Sequence, residues 1–185
     1  MTGLQYGIIG CGMMGQEHLR NIALLPDASV AVIFEPDAGM RGLSAEAVPN
    51  AKMVGSIEEL LGVEAVNCLL IASPNYLHLE QLEKIAAIRP LPVLVEKPLF
   101  TDPADAPRLA ALRAAYPAPI WVAMEYRYMP PVARMIEQAD EATGGIRMLT
   151  IREHRFPFLE KVGDWNRFNR NTGGTLVEKC CHFFD

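Results

Sequence analysis

This chain is organised around ten residues near its start, Tyr6-Gly7-Ile8-Ile9-Gly10-Cys11-Gly12-Met13-Met14-Gly15. A short apolar run leads into Gly10-x-Gly12-x-x-Gly15, and residues 16–25 then carry apolar side chains at helical spacing. This order predicts a strand, a tight glycine turn and a helix. In such a unit Gly10 permits the turn, Gly12 lets the backbone approach a pyrophosphate, and Gly15 lets the helix pack closely on the strand.

An acidic residue follows a second predicted strand, at residues 30–34. Glu35 comes twenty positions after Gly15, where a carboxylate can accept hydrogen bonds from both hydroxyls of a ribose. An ordinary glycine-rich turn is the alternative, and Glu35 argues against it. We therefore predict a dinucleotide site that includes, from this region, Gly10, Gly12, Met13, Met14, Gly15 and Glu35. The negative charge of Glu35 favours NAD, while Arg41 nearby keeps NADP open as a second cofactor.

Composition excludes several classes of protein. The 185 residues are half apolar, and the formal charge of −5 with a pI of 5.4 argues against a nucleic-acid partner. We see neither a secretory signal nor an apolar run near the ~18 residues of a membrane span, and expect a cytoplasmic protein. The cysteines lack the spacing of a disulfide framework or a zinc site, so we expect reduced thiols and no metal. They are Cys11, Cys68, Cys180 and Cys181.

Strand and helix patterns alternate through residues 1–124. Further strands are predicted at 52–54, 65–72, 92–95 and 120–124. Ser56 and Asp102 are predicted to begin helices as N-caps. This βαβ alternation predicts an α/β fold with a doubly wound parallel sheet of the Rossmann type, and we take 1–124 as a dinucleotide-binding domain.

The pattern changes over residues 125–185. A connector at 126–131 precedes a predicted helix at 132–141, and 146–156 alternates in part like a strand. Residues 157–172 are irregular, and 175–185 are predicted to form a helix. One helix and one strand cannot bury a second core. We therefore expect 125–185 to be the beginning of an α+β substrate domain with an open sheet, in a sequence truncated before most of it.

Polar groups follow three predicted strands, at the sheet edge where open α/β proteins bind ligands. They are Glu35, then Ser73, Pro74 and Asn75 with His78 one turn on, then Glu96 and Lys97 before Pro98. We add the last two groups to the predicted cofactor site, although His78 is also read as an ordinary hydrogen-bonding residue on a helix face. The ammonium of Lys97 could bind a substrate oxygen and stabilise developing alkoxide. The alternative for Lys97 is a solvated lysine on a loop.

Glu178 and His182 lie four residues apart in the last predicted helix, so we expect them to share a face. A histidine can take or give a proton near neutral pH, and a carboxylate can orient it. The alternative is an ordinary surface pair.

Four motifs together resemble the Gfo/Idh/MocA oxidoreductases along essentially the whole chain. They are residues 10–15, 73–78 (Ser-Pro-Asn-Tyr-Leu-His), 96–98 (Glu-Lys-Pro) and 173–185, where Gly-Gly is followed by His182 and Asp185. The resemblance implies that Lys97 is catalytic and that His182 accepts or donates the proton. Glu178 stands where inositol-type members have aspartate. By analogy, four residues would line the substrate side, namely Tyr126, Arg127, Trp165 and Asn166.

The leading functional hypothesis is an NAD(P)-dependent dehydrogenase for a polyol, sugar or related hydroxy compound, and a homo-oligomer when full length. One alternative is redox-assisted glycoside hydrolysis with tightly held NAD, marked by release of free sugar without net NADH. Another is a nucleotide-binding sensor without turnover. The presence of both Lys97 and His182 argues against a sensor, because a pure binder needs neither.

Overall fold

A six-stranded parallel sheet forms the centre of the protein in the computed structural model, which describes residues 3–154 and 161–185. The strand order is β3-β2-β1-β4-β5-β6. The strands are β1 Leu4–Ile9, β2 Ala28–Phe34, β3 Lys52–Val54, β4 Cys68–Ile71, β5 Val93–Val95 and β6 Ile120–Val122. The predicted doubly wound sheet is confirmed, and every strand predicted within residues 1–124 is present.

Helices alternate with these strands and continue beyond them. Those in the described residues are α1 Met13–Ile22, α2 Ala38–Ala47, α3 Ile57–Leu61, α4 His78–Ile88, α5 Ala106–Ala115, α6 Pro130–Thr143, α7 Asn169–Thr172, α8 Thr175–Glu178 and α9 Cys181–Phe184. Both predicted caps are confirmed, since Ser56 accepts from the N–H of Glu59 at 3.1 Å and Asp102 from that of Ala104 at 2.9 Å. No described helix has both the length and the apolar character needed to cross a membrane.

The core lies on both faces of the sheet. Ile8 and Leu70 pack with α1 on one face, whereas Ile9, Leu69 and Ile71 from the same two strands pack on the other. All four residues of β4 are buried, as the continuous apolar run predicted. A parallel strand covered on both faces has this pattern because successive side chains point to opposite sides.

The strand order reverses between β1 and β4. The connections after these two strands therefore leave the sheet on opposite sides, which opens a crevice at their carboxyl ends. The glycine loop at residues 10–12 follows β1, and residues 73–75 follow β4. The topology thus brings two of the predicted ligand-binding segments to one place.

The strand predicted at residues 146–156 is wrong over 146–154, which has no regular secondary structure; residues 155 and 156 lie outside the described part. Its apolar side chains are largely exposed, Met148 at 85% and Ile146 at 52%. A strand is stabilised by hydrogen bonds to a neighbouring strand, and no described strand pairs with this segment. An alternating pattern alone does not supply that partner.

Candidate cofactor and active site

A cleft of about 1090 Å³ lies at the carboxyl ends of the central strands. Most of the predicted cofactor residues are in its wall, namely Gly10, Gly12, Met13, Met14, Glu35, Ser73, Pro74, Asn75, Glu96 and Lys97. Two predicted residues, Gly15 and His78, are buried and are not among the described residues that line the cleft. The structure therefore brings the three separate strand ends together around one space.

The three glycines of the loop have different surroundings, and these explain why each position is glycine. Gly10 has a φ of +80°, and a Cβ there would lie 2.6 Å from the backbone nitrogen of Ser73. A Cβ on Gly15 would lie 2.9 Å from the carbonyl oxygen of Gly10. Around Gly12, by contrast, a Cβ would meet no atom within 4 Å. Gly10 and Gly15 are therefore required by protein packing, whereas Gly12 borders open space where a ligand can approach.

This difference gives a test of the loop. Gly12→Ala should fold like the parent protein, because Gly12 has a φ of −69° that alanine adopts readily. The added methyl group should clash with a bound pyrophosphate. We expect the clash to cost about 1–3 kcal/mol of binding free energy, which is roughly a 5- to 150-fold loss of NAD affinity. Calorimetric titration with NAD measures the loss. The matched control is Gly42→Ala, an exposed glycine of α2 with an equally open Cβ position, which should leave affinity unchanged. Equal affinities for the two variants would contradict the assignment.

Glu35 lines the cleft, as predicted, and also binds the backbone of the glycine loop. Glu35 is 6% exposed, and its carboxylate binds two backbone segments: Oε2 accepts from the N–H of Cys11 at 2.5 Å and Oε1 accepts from that of Asp37 at 2.8 Å. The guanidinium of Arg41 donates to the Glu35 carbonyl at 2.9 Å. Glu35 therefore fixes the shape of the glycine loop and still lines the cleft. A ribose contact by the same carboxylate stays a prediction.

Lys97 follows β5 and lines the cleft. Its ammonium donates to the carbonyl oxygen of Glu178 at 3.2 Å, which connects the Rossmann sheet to the last part of the chain. The preceding residue, Glu96, is 7% exposed, and its Oε1 lies 2.8 Å from Nε2 of His18. Burial alone would raise the pKa of Glu96, but the His18 hydrogen bond and the charges of His18 and Lys97 hold that pKa below its usual value.

The predicted pairing of Glu178 with His182 on one helix is wrong. The helix ends at Glu178 and a new one begins at Cys181, because the N–H of Cys180 bonds back to Thr175 at 3.1 Å in a wider turn. The Glu178 carbonyl, which a continuous helix would pair with residue 182, instead accepts from Lys97. Glu178 therefore contributes its backbone oxygen to this site.

His182 lies in a mostly buried pocket between aromatic and charged groups. Its ring stacks on Tyr126, with centroids 4.3 Å apart and planes at 10°. Its Nδ1 lies 3.4 Å from Oε2 of Glu125, outside hydrogen-bond geometry, so this buried nitrogen has no hydrogen-bond partner in the described structure. Burial, followed by the positive charges of Lys97 and Lys179, lowers the pKa of His182 to about 4. The imidazole is therefore neutral at pH 7 and can accept a proton.

The segment after residue 160 forms another wall of the cleft. Trp165 packs edge-on against Tyr76 with centroids 6.3 Å apart, and the ammonium of Lys161 lies 4.5 Å above the Trp165 ring. Trp165, which analogy placed on the substrate side, borders the cofactor cleft. Arg127, from the same predicted set, forms an ion pair with Asp185 through Nε at 2.6 Å.

These residues fit a dinucleotide. The first N–H groups of α1, at Met13 and Met14, have no carbonyl partner within the helix. They form the positive end of the helix dipole, which favours a negatively charged ligand. Asn75 lies in the cleft wall, 6% exposed, and its Nδ2 has no hydrogen-bond partner in the described structure. An unpaired buried donor beside an open glycine loop suits the polar oxygens of a phosphate or ribose.

Several neighbours of the site were not predicted from the sequence. The cleft wall also contains Phe34, Asp37, Tyr76, Gln81 and Lys161, and Glu125 lies beside His182. Glu125 comes three residues after β6, so the same strand-end rule that singled out Lys97 could have found it. The contacts of Gln81 and Lys161 depend on tertiary packing and have no local signal.

Taken together, the reversed strand order, the glycine loop beside a carboxylate and a lysine at a third strand end define a dinucleotide-binding α/β protein. A family model for the Gfo/Idh/MocA oxidoreductases, described as "Oxidoreductase family, NAD-binding Rossmann fold", matches residues 4–124. The chain belongs to this family and carries its NAD-binding Rossmann domain, which confirms the resemblance and the predicted cofactor.

Relatives show how much of the family's architecture the chain covers. It is 29% identical to an inositol 2-dehydrogenase of Corynebacterium glutamicum strain R over 98% of this chain and 52% of the relative. It is 27% identical to the rhizopine catabolism protein MocA of Rhizobium meliloti over 100% of this chain and 56% of the relative. The chain thus spans about half the length of these curated relatives.

Solved structures support the fold. The crystal structure of myo-inositol dehydrogenase from Lactobacillus casei, in complex with NAD(H) and myo-inositol, superimposes with a TM-score of 0.69 at 22% identity. The match covers 76% of this chain and 42% of that one. At this identity the likeness establishes the Rossmann fold, and the ligands named belong to the relative.

Proposed function

We propose that this protein is an NAD-dependent dehydrogenase that oxidises a hydroxyl-bearing carbon of a polyol, a sugar or a related small molecule. The observation that carries the proposal is the position of Lys97, which lines the cofactor cleft and donates to the chain segment that bears His182. The proposal draws its substrate class from relatives named as inositol 2-dehydrogenases. Neither glycoside hydrolysis nor a sensor role finds support among the relatives described above.

We assign cofactor binding, stabilisation of the substrate oxygen and proton transfer to different residues. Backbone N–H groups at Met13 and Met14, with Asn75 and Glu35, would hold the cofactor, which supplies a hydride acceptor when bound. Lys97 would bind the substrate hydroxyl and stabilise the negative charge that develops on its oxygen. His182, neutral at pH 7, would take the hydroxyl proton. The half-buried ring of Tyr126, stacked on His182, fixes the plane of the imidazole.

The test is turnover by the protein expressed from its complete reading frame. A panel of inositols, other polyols and sugars is incubated with NAD, and NADH formation is followed by absorbance. The proposal expects substrate-dependent NADH formation, with a kcat that Lys97→Ala lowers about 10²- to 10³-fold. Release of free sugar from glycosides without net NADH formation would show that the protein is a glycoside hydrolase instead. NAD binding without turnover of any panel member would contradict the proposal.

Cofactor preference gives a further prediction. Glu35 is fixed in the cleft wall by two backbone N–H groups, so its charge cannot move away from a 2′-phosphate. Two unit charges at 4 Å interact by about 1–4 kcal/mol between bulk water and a protein surface, so we expect at least roughly fivefold tighter binding of NAD than NADP. Titration of Trp fluorescence with both cofactors measures this ratio.

The matched variant for this prediction is Glu35→Gln. It removes the charge at nearly constant shape and keeps one oxygen that can accept from the Cys11 N–H. The preference should therefore shrink mainly through tighter NADP binding. Tighter NADP than NAD binding in the unmodified protein would overturn the role given to Glu35.

A further inference from the structure

Two histidines hold the turn that carries Lys97. The first is His18, in the middle of α1, with Nε2 2.8 Å from Oε1 of Glu96. The other carboxylate oxygen of Glu96 accepts from the backbone N–H of Lys97 at 3.3 Å. His18 therefore reaches Lys97 through one carboxylate, and this connects the cofactor helix to the lysine turn.

The second is His78, the first residue of α4, which is fully buried. Its Nδ1 lies 2.8 Å from the carbonyl oxygen of Pro98 and its Nε2 lies 2.9 Å from that of Ser73. The ring thus bridges the loop after β4 and the turn after β5. It lies behind the cleft wall, so it acts on the site only through these two backbone groups.

We propose that His18 and His78 are positioning residues for Lys97, which they hold from its two chain neighbours, Glu96 and Pro98. The inference rests on the proposed function, because it assigns to both histidines the placement of the ammonium that binds the substrate oxygen. Each histidine belongs to a helix that begins at a cofactor-binding loop. The same contacts therefore tie the position of Lys97 to the two loops that surround the cofactor.

Placement matters because the ammonium of Lys97 sits at the end of a flexible four-carbon chain. Its direction is set by the backbone of the turn and by the hydrogen bond to the Glu178 carbonyl. A displacement of about 1 Å at a catalytic group can cost about 10²-fold in rate. Loss of either histidine should therefore lower kcat while KM and NAD affinity change little, because the cleft wall itself is retained.

Conservative variants test which of the two carbonyl oxygens, that of Pro98 or that of Ser73, accepts the hydrogen bond from His78. A neutral imidazole carries one hydrogen, and burial of the ring, which outweighs the carbonyl contacts, lowers the pKa of His78. Asparagine keeps a donor at the position of Nδ1, toward Pro98, whereas glutamine keeps one at Nε2, toward Ser73. Because Pro98 belongs to the lysine turn, His78→Asn should retain more turnover than His78→Gln. For His18, glutamine places a donor near Nε2, so His18→Gln should retain more than His18→Leu.

The decisive experiment is a mutant cycle with Lys97, in the protein expressed from its complete reading frame. His18→Leu is expected to lower kcat about 10- to 100-fold in the presence of Lys97. In a Lys97→Ala background the same change should alter kcat by less than about twofold, because a residue that acts through Lys97 has nothing left to position. The control is His154→Gln, an exposed histidine that is not among the described residues of the cleft wall, and it should leave kcat unchanged in both backgrounds.

Equal losses in both backgrounds would overturn the proposal, because they would show a general structural role. Full turnover in His18→Leu would overturn it as well. Should His78 variants fail to fold by circular dichroism, the more exposed His18 carries the test alone. Failure of the proposed function is distinguishable: if no substrate is found, reductive ¹³C-methylation of lysines reports directly on Lys97. Its signal, assigned with Lys97→Arg, should move toward the free-lysine position in His18→Leu, and an unmoved signal would reject the positioning role.

Discussion

Replacing Lys97 by alanine is expected to lower kcat about 10²- to 10³-fold, the usual loss when one preorganised donor to a developing oxyanion is removed. Lys97 lines the cleft and its ammonium is already held by the Glu178 carbonyl at 3.2 Å, so little reorganisation is needed on substrate binding. Because the glycine loop is untouched, NAD affinity should stay within about threefold, less than the cost of one ordinary hydrogen bond. Steady-state kinetics at saturating NAD and calorimetric NAD titration measure the two quantities.

Lys84→Ala is the matched control for this experiment. Lys84 is a half-exposed lysine of α4 that pairs with Glu58 at 2.9 Å and is not among the described residues that line the cleft, so its removal should leave kcat unchanged. Near-normal turnover in Lys97→Ala would show that Lys97 is a solvated lysine on a loop. Loss of NAD binding together with turnover would instead make Lys97 a cofactor-binding residue.

His182→Ala should lose about 10²- to 10⁴-fold in kcat, because loss of a positioned acid–base group typically has that effect. The ring is held against Tyr126, and its buried Nδ1 has no hydrogen-bond partner in the described structure, so this nitrogen remains available to accept a proton. Glu178→Gln is the matched control. It keeps the backbone carbonyl that binds Lys97 and should cost far less. If His182→Ala keeps near-normal turnover, the proton leaves by another route.

The lowered pKa of His182 sets the expected pH dependence. The neutral ring is the form that accepts a proton, and with a pKa of about 4 it is present at any pH above that value. The acid limb of kcat/KM for oxidation should therefore fall near pH 4, not near the ordinary histidine pKa of about 6.5. A limb near 6.5 would show that the imidazole titrates like an exposed one.

The same shift affects stability. Because the folded-state pKa lies below the unfolded value of about 6.5, the neutral ring stabilises the fold fully above pH 6.5. This contribution is lost as pH falls from about 6.5 toward 4. Thermal unfolding should therefore show that the difference in Tm between the parent protein and His182→Ala becomes smaller as the pH falls over this interval.

The sequence by itself determined the Rossmann sheet and the place of its ligand cleft. The spacing of apolar residues distinguishes strands from helices and is a local signal. Because strands alternate with helices and the first strand leads into Gly10, few sheet topologies other than the Rossmann fold remain possible. Lys97 was found because the carboxyl ends of parallel strands meet at one edge whatever the details of packing. Residues that follow strands are therefore predictable as neighbours from their order in the chain.

Only the tertiary structure decided which partners these side chains take. Several contacts of the site join residues far apart in the chain: Glu35 with the Cys11 N–H, His18 with Glu96, His78 with Pro98, and Lys97 with the Glu178 carbonyl. The alternating pattern at 146–154 failed for the same reason, since a strand requires a neighbour that no local pattern contains. Periodicity specifies which face a side chain occupies, while hydrogen bonding depends on distances that are fixed only when the sheet and its helices are packed together.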